Sequence, residues 1–266
     1  MPLAVCATPI GNLDDVTLRV LRELREADVV LAEDTRRTGL LLARHQLDAR
    51  LLSYHEHNEA ARVAELLPRL VAGERVALVS DAGLPGISDP GARLVRAAVD
   101  AGVPVTVLPG PSAVETALVV SGLVSERYAF VGFLPRRARE LDALWEELAF
   151  WRWPVVAFES AQRLPLSLRS LAIASPERDV VVCRELTKQF EEIVRGSAAE
   201  LADRFEEPPR GEITLVFGPG PESSRRGEAE AAVSALIAAG TPRKVAAEVV
   251  ARLTDMSRNE LYREGL

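Results

Sequence analysis

The sequence has little of what metal centres and disulfide scaffolds are built from, with two cysteines and three histidines in 266 residues. Cys6 and Cys183 sit in apolar, strand-like surroundings, which reads as two buried thiols in a reducing compartment rather than a bridge. With so few cysteines and histidines, no cluster has metal-ligand spacing, and no metal is expected. No apolar run reaches about eighteen residues, so no membrane span is expected. The N-terminus lacks the basic-then-apolar order of a signal peptide, and a cytoplasmic chain is expected. Neither a G-x-G-x-x-G opening a helix nor a G-x-x-x-x-G-K-[ST] loop occurs, which removes the usual nicotinamide, flavin and P-loop fingerprints. Positive charge is also short: the net charge of -7 argues against broad nucleic-acid binding but leaves room for a local basic patch.

What is present is an alternation of strand and helix patterns. "LAVCAT", "DVVLAE", "ARLLSY", "RVALVS" and "VPVTVLPG" read as strands, with helical segments between them. Several are apolar throughout, which predicts an α/β fold with a largely parallel sheet covered on both faces. A second α/β unit begins near Ser125, with strands "YAFVGFL", "PVVAFES", "DVVVCREL" and "EITLVFG" and helices near 137–150, 162–172 and 197–206. "GPGPESSRRGE" reads as a linker, followed by the helical "AEAAVSALIAAG", "PRKVAAEVVARLT" and "SRNELYREG". The expected domains are 1–122, 123–220 and a small helical appendage at 228–266. That appendage reads as a hairpin for packing or dimerisation, with a nucleic-acid-binding helix-turn-helix as the second reading.

Four loops share a place and a composition. "TPIGN", "EDTRRTG", "SDAGLPGISDPG" and "LPGPSA" each follow a strand, and between them they are rich in Gly and Pro. In an open parallel sheet, ligands bind beyond the carboxyl ends of the strands. Glycine lets backbone approach a ligand and proline pre-sets a turn, so the four loops suit a polar small molecule such as an adenosine-containing cofactor.

These motifs bring a family into view. "TPIGNLDDVTLRVLRELREADVVLAEDTRRTGLLL", "HEHNE", "LVSDAGLPGISDPG" and "LPGPSA" resemble the ribosomal RNA small subunit methyltransferase I family, within the tetrapyrrole-methylase-like (class III) fold. "GFLPRR", "FESAQR", "CRELTKQFEE", "RGEITLVFG" and "SRNELYREG" continue the likeness in order over essentially the whole chain. The resemblance implies S-adenosylmethionine as methyl donor, bound in a cleft between two α/β domains of a homodimer. It also implies 2'-O-methylation of cytidine-1402 in the decoding region of 16S rRNA, with the 30S subunit as partner and no membrane. Carried over by motif, the donor site comprises Pro9, Ile10 and Gly11, then Asp81, Ala82 and Gly83, and Ser88 with Asp89. Pro109, Gly110 and Ser112 complete it with Phe133 and Leu215 at later strand ends. Two departures stand out: Leu84 and Gly86 replace a Thr and a bulky apolar residue, and Phe158 and Gln162 stand where the family has Tyr and His.

Methylating a hydroxyl requires removal of its proton, which a carboxylate or neutral amine can accept, while nearby positive charge favours the developing oxyanion. "CRELTKQFEE" supplies Arg184, Glu185 and Lys188, and "EDTRR" supplies Glu33, Asp34 and Arg36. Lys188, Glu185, Glu33 and Arg36 are therefore the candidate catalytic residues. Arg36 and Arg163 are assigned to RNA phosphate or ribose, and Arg136, Arg137 and Arg139 to guiding phosphates. His55 and His57, two apart, are expected on one side of a strand, in a substrate loop or supporting the residues that touch the ligand. Two alternatives share the donor loops: a tetrapyrrole-pathway C-methyltransferase, and a non-catalytic S-adenosylmethionine-binding assembly factor.

Overall fold

The computed structural model describes residues 2–220, 222–254 and 256–263. The chain falls into two compact units, Met1–Val120 with Cys183–Ile193, and Ser121–Val182 with Val194–Leu266.

The first unit contains strands β1 (Leu3–Cys6), β2 (Val29–Ala32), β3 (Leu51–Ser53), β4 (Val76–Val79) and β5 (Val105–Leu108), in the order β3-β2-β4-β1-β5. All its pairings are parallel. Side chains alternate across a strand, and the apolar runs divide accordingly. Leu3, Val5, Val29, Leu31, Val76 and Leu78 face one core, with Leu66 and Leu70 of α3 (Glu59–Val71) and Leu94 and Ala98 of α4 (Ala92–Asp100). Ala4, Cys6, Val30, Ala32, Ala77 and Val79 face the other, with Val20 and Leu24 of α1 (Leu18–Glu26) and Leu41 and Leu42 of α2 (Thr35–Arg44). The result is a helix–sheet–helix sandwich, which is why these strands need apolar residues at every position.

The order has a switch point at the neighbouring strands β1 and β4. The helix after β1 lies on one face of the sheet and the helix after β4 on the other, so their exit loops part and leave a crevice. α5 (Ala113–Ser121) follows β5.

The second unit is built on the sheet order β6-β7-β10-β8-β9. Its strands are β6 (Ala129–Phe133), β7 (Val155–Ser160), β8 (Asp179–Arg184), β9 (Glu192–Ser197) and β10 (Glu212–Phe217). β6 and β7 pair parallel, but β7 and β10 antiparallel, so this sheet is mixed. α6 (Ala138–Leu148), α7 (Leu164–Ala174) and α8 (Ala198–Arg204) cover one face through Trp145, Leu148, Leu168, Leu171 and Leu201. α8 opens on a capping box in which Ser197 and Glu200 satisfy each other's backbone N–H.

The expected linker is in part helical: α9 (Glu222–Ala238) starts inside it, while Pro221 lies outside the described residues. α10 (Arg243–Leu253) and α11 (Arg258–Arg263) pack with α9 around Ala229, Val233, Ala246, Ala247, Val250 and Leu261. The last two residues of "SRNELYREG" lie outside the described residues. Among the described residues no helix is long and apolar enough to cross a membrane.

Candidate functional site

The loops leaving β1, β4 and β5 are laced to one another. Ala7 N–H donates to Leu108 O at 3.1 Å, while Thr8 and Gly83 exchange both backbone hydrogen bonds at 2.8 and 3.1 Å. The Thr8 hydroxyl donates to Ser80 O at 3.0 Å. The loop after β2 joins through Asp81, whose carboxylate accepts the Asp34 N–H at 2.9 Å and faces Arg37 at 3.5 Å. Thr8 and Ser80 were not singled out from the sequence; their signal is position, each being a small hydroxyl residue one or two places past a buried strand.

Within this frame Pro9 and Ile10 are buried, and Gly11, Asp81, Ala82 and Asp89 are half-buried. Ser88 is exposed and takes a left-handed φ of 59°. Pro109 and Gly110 are exposed, and the Ser112 hydroxyl donates to the Glu115 carboxylate in the first turn of α5. Phe133 and Leu215 belong to the second unit. Phe133 is exposed at the end of β6, whereas the Leu215 side chain is fully buried in that unit's core.

Three carboxylates concentrate negative charge here. Burial first, and then the Asp81 charge, raise the Glu33 carboxyl above its ordinary value. Burial and then Glu33 push Asp89 up to about 6, against the Ser80 hydroxyl, which pulls the other way. Glu33 and Asp89 also line a cavity of about 510 Å³ with Glu56, Glu59, Ser88 and Arg93. Such a donor set repels a pyrophosphate and attracts a cation. It fits a cofactor that carries a sulfonium and an ammonium group.

The turn between β8 and β9, residues 185–191, folds into the first unit. Glu185 and Thr187 both hold positive φ, 53° and 65°, which side chains with a Cβ rarely adopt. Local bonds enforce it: Lys188 N–H donates to Glu185 O at 2.9 Å, and Thr187 N–H to the Glu191 carboxylate at 2.6 Å. The turn is docked on the loop after β1, where Asn12 N–H donates to the Thr187 hydroxyl at 3.0 Å. Gly11 permits the approach, because a Cβ there would lie 2.6 Å from Lys188 Cγ and Thr187 Oγ1 and 2.7 Å from Leu186 O. Lys188 Nζ donates to Glu185 Oε1 at 2.8 Å. The structure thus brings Lys188 and Glu185 together, against a loop expected to bind the donor. Thr187 and Asn12 escaped the sequence reading, since nothing in their spacing announces a contact across 175 positions.

Arg36 is strongly exposed and clamps Asp34 through two side-chain hydrogen bonds, at 3.0 and 2.6 Å. That pair holds the Asp34 carboxyl far below the usual range. His55 and His57 are not on a strand: β3 ends at Ser53, and the two rings meet edge-on at 5.9 Å in the turn before α3.

The sequence profile described as Tetrapyrrole (Corrin/Porphyrin) Methylases matches residues 2–202. A curated ribosomal RNA small subunit methyltransferase I from Streptococcus pyogenes serotype M1 is 40% identical over 269 residues, covering 98% of this chain and 93% of its own. The protein of the same name from Thermotoga maritima is 45% identical over 219 residues, 81% of this chain and 97% of the relative. This chain belongs to the ribosomal RNA small subunit methyltransferase I family. Solved structures agree on the fold. A uroporphyrin-III-C-methyltransferase from Thermus thermophilus superposes with a TM-score of 0.60 at 22% identity, over 85% of this chain and 97% of that one. A cobalt precorrin-4 methyltransferase gives 0.60 at 21% identity, over 81% and 94%.

Against the family pattern, the departures acquire physical reasons. Leu84 is partly buried against the core under β4, so this position contributes packing where a Thr would offer a hydroxyl. Gly86 has φ +86°, a conformation its bulky counterpart would strain to adopt. Phe158, in the Tyr position, meets Phe130 and Phe133 edge-on at 4.9 and 5.5 Å. Gln162 is exposed, and nothing in the structure explains the replacement. The neighbouring Arg163 turns inward, donating to Leu134 O at 2.7 Å and to the buried Glu159 carboxylate at 2.7 Å. It therefore holds the "GFLPRR" loop by its backbone, in contrast to the RNA-facing role its sequence suggested.

Proposed function

We propose that this chain transfers a methyl group from S-adenosylmethionine to the ribose 2'-hydroxyl of cytidine-1402 in 16S rRNA. The observation that carries the reading is the Lys188–Glu185 turn docked on the Gly11 loop, inside the unit that holds the loops after β1, β4 and β5. The names of its relatives support the RNA substrate. When bound, S-adenosylmethionine supplies an electrophilic methyl group on a positively charged sulfur.

Residues 9–11, Asp81, Gly83, Asp89 and 109–112 hold that donor, with the Glu33–Asp81–Asp89 field complementing its positive charge. A ribose hydroxyl is a poor nucleophile until its proton is taken. Lys188 and Glu185 meet at 2.8 Å, and in this reading the Glu185 carboxylate takes the hydroxyl proton while the Lys188 head group turns to the developing negative oxygen. Arg36 exchanges Asp34 for an RNA phosphate. The enzyme works in the cytoplasm as a homodimer on the 30S subunit.

Mass spectrometry of 16S rRNA from wild-type and deletion strains tests the assignment. Loss of one ribose methyl group at the decoding-region cytidine is expected, and an unchanged methylation map overturns it. Purified enzyme offered 30S subunits, naked 16S rRNA or uroporphyrinogen III with labelled donor separates the substrates. Label in the tetrapyrrole alone would replace this reading with a small-molecule methyltransferase.

A further inference from the structure

Two of the three tryptophans, Trp151 and Trp153, stand within the six residues that join α6 to β7. Neither is fully buried, unlike Trp145. Backbone bonds fix the segment: Trp151 N–H donates to Leu148 O at 3.2 Å, and Gly220 N–H donates to Trp151 O at 2.6 Å. Arg178, itself buried, donates to Leu148 O at 2.9 Å and to Gly218 O at 3.0 Å, tying both ends of the same junction. The two indoles meet edge-on at 6.3 Å, and the guanidinium groups of Arg152 and Arg127 lie 4.5 and 5.3 Å from the Trp153 ring centre.

This segment forms one wall of a cavity of about 740 Å³ whose other wall is α9, α10 and the turn before α11. Ala229, Ala232 and Val250 line it with short side chains, and Leu253, strongly exposed, stands at its edge. Arg152, Arg226 and Arg252 line it too. The acidic lining residues are Glu147 and Glu260, and Glu260 spends its carboxylate on Ser257 N–H at the start of α11. In a chain of net charge -7, this is a local concentration of arginine beside aromatic rings. Arg226 and Arg252 hold exposed i,i+4 partners, Glu230 at 3.1 Å and Glu248 at 2.7 Å. Pairs of this kind are weak and exchange readily for a phosphate.

We propose that this cavity is a subsite for single-stranded RNA, in which a base stacks on the Trp151–Trp153 wall and flanking phosphates pair with Arg152, Arg226 and Arg252. The proposal rests on the rRNA reading above and adds a contact outside the methyl-donor loops. One of the two walls, α9 to α11, lies beyond the residues the tetrapyrrole methylase profile matches, so the profile does not describe the subsite as a whole. Flat aromatic faces accept any base, and guanidinium groups lying over the Trp153 ring, which can swing to a phosphate and yield the face to a base, suit an anionic polymer rather than an apolar protein face.

Fluorescence anisotropy of a labelled single-stranded decoding-region oligonucleotide, titrated with the full chain, tests this directly. Trp153→Ala should weaken binding by about tenfold, as loss of one stacked base does. The double variant R226Q/R252Q, on exposed helix faces that fold without these charges, should also lower the salt slope by about 1.4, about 0.7 for each lost phosphate contact. Affinity for S-adenosylmethionine, read by calorimetry, reports an intact fold in each variant. Wild-type RNA affinity and salt slope in both variants overturn the subsite, as does a change in oligomeric state with RNA affinity intact, which would make this face a contact between copies. Failure of wild-type enzyme to methylate 30S subunits instead overturns the catalytic reading, so the two failures are told apart.

Discussion

Lys188 is one of two lysines in a chain that otherwise uses thirty arginines for positive charge. A site that needed only a cation could have used arginine here too, whereas a compact ammonium donating to Glu185 beside the Gly11 loop needs the shorter head group. Lys188→Ala should lower the methyl-transfer rate by about 10²–10³, the scale of losing one donor to a developing oxyanion. Lys188→Arg should restore little of it, and both should bind S-adenosylmethionine normally. A wild-type rate in the arginine variant would reduce Lys188 to a generic charge. Asp89 gives a pH prediction. Its carboxyl moves from 3.8 to about 6 in the folded chain, chiefly by burial and then by Glu33. The folded state therefore holds its proton through that window, and stability falls as pH rises from about 4 to about 6. Asp89→Asn should be stabilised relative to wild type above pH 6, with the difference vanishing below pH 4, as thermal melts across pH can read. If Asp89 faces the donor's positive charge, wild-type affinity for S-adenosylmethionine rises through pH 6 and the variant's does not.

At the scale of elements, the structure depends on where the turn 185–191 comes to rest. Gly11→Ala places a methyl group against Lys188 Cγ, Thr187 Oγ1 and Leu186 O at once. The last is backbone, so the turn must shift rather than one side chain rotate. Overpacking of this kind destabilises by about 1–3 kcal/mol, and a displacement of about 1 Å at a catalytic group lowers rate about 10²-fold. A folded variant with a normal melting temperature and normal turnover would show that the turn does not position the reaction. In the first unit β1, β2 and β4 were legible because each is apolar and buried along its whole length, with helical periods between them. β9 was not, because "EIVRGS" is polar, half-exposed and contains a glycine, so its pairing within the sheet decides what propensity does not. The start of α9 was hidden for the opposite reason. "ESSRRGEAE" has no apolar period and a glycine, yet its Glu, Arg and Ala favour helix once a partner core is supplied by Val233 and Val250.

At the scale of the whole molecule, the strand-end loops could be read from composition, but the membership of the units could not. Residues 183–193 belong with the first unit although their strands continue the second sheet, and only contacts distant in sequence, such as Asn12 to Thr187, reveal it. The C-terminal helices were equally open, since their near-neutral, amphipathic pattern suits packing and RNA binding alike. Their architecture separates the two uses. α9 to α11 close a small core of their own, and the three larger core clusters draw no residue from them. The tetrapyrrole methylase profile ends at residue 202, before α9 begins. A chain ending at Gly220 keeps β10 and the Gly220 bond to Trp151, and loses one wall of the arginine-lined cavity. Such a chain should fold, bind S-adenosylmethionine as the full chain does, and lose affinity for single-stranded RNA by at least the factor of about ten expected for Trp153→Ala. Gel filtration, calorimetry and anisotropy on the one sample read all three. Retained RNA affinity would assign the helices to packing, whereas lost donor binding would mean that the donor site depends on helices outside the family profile.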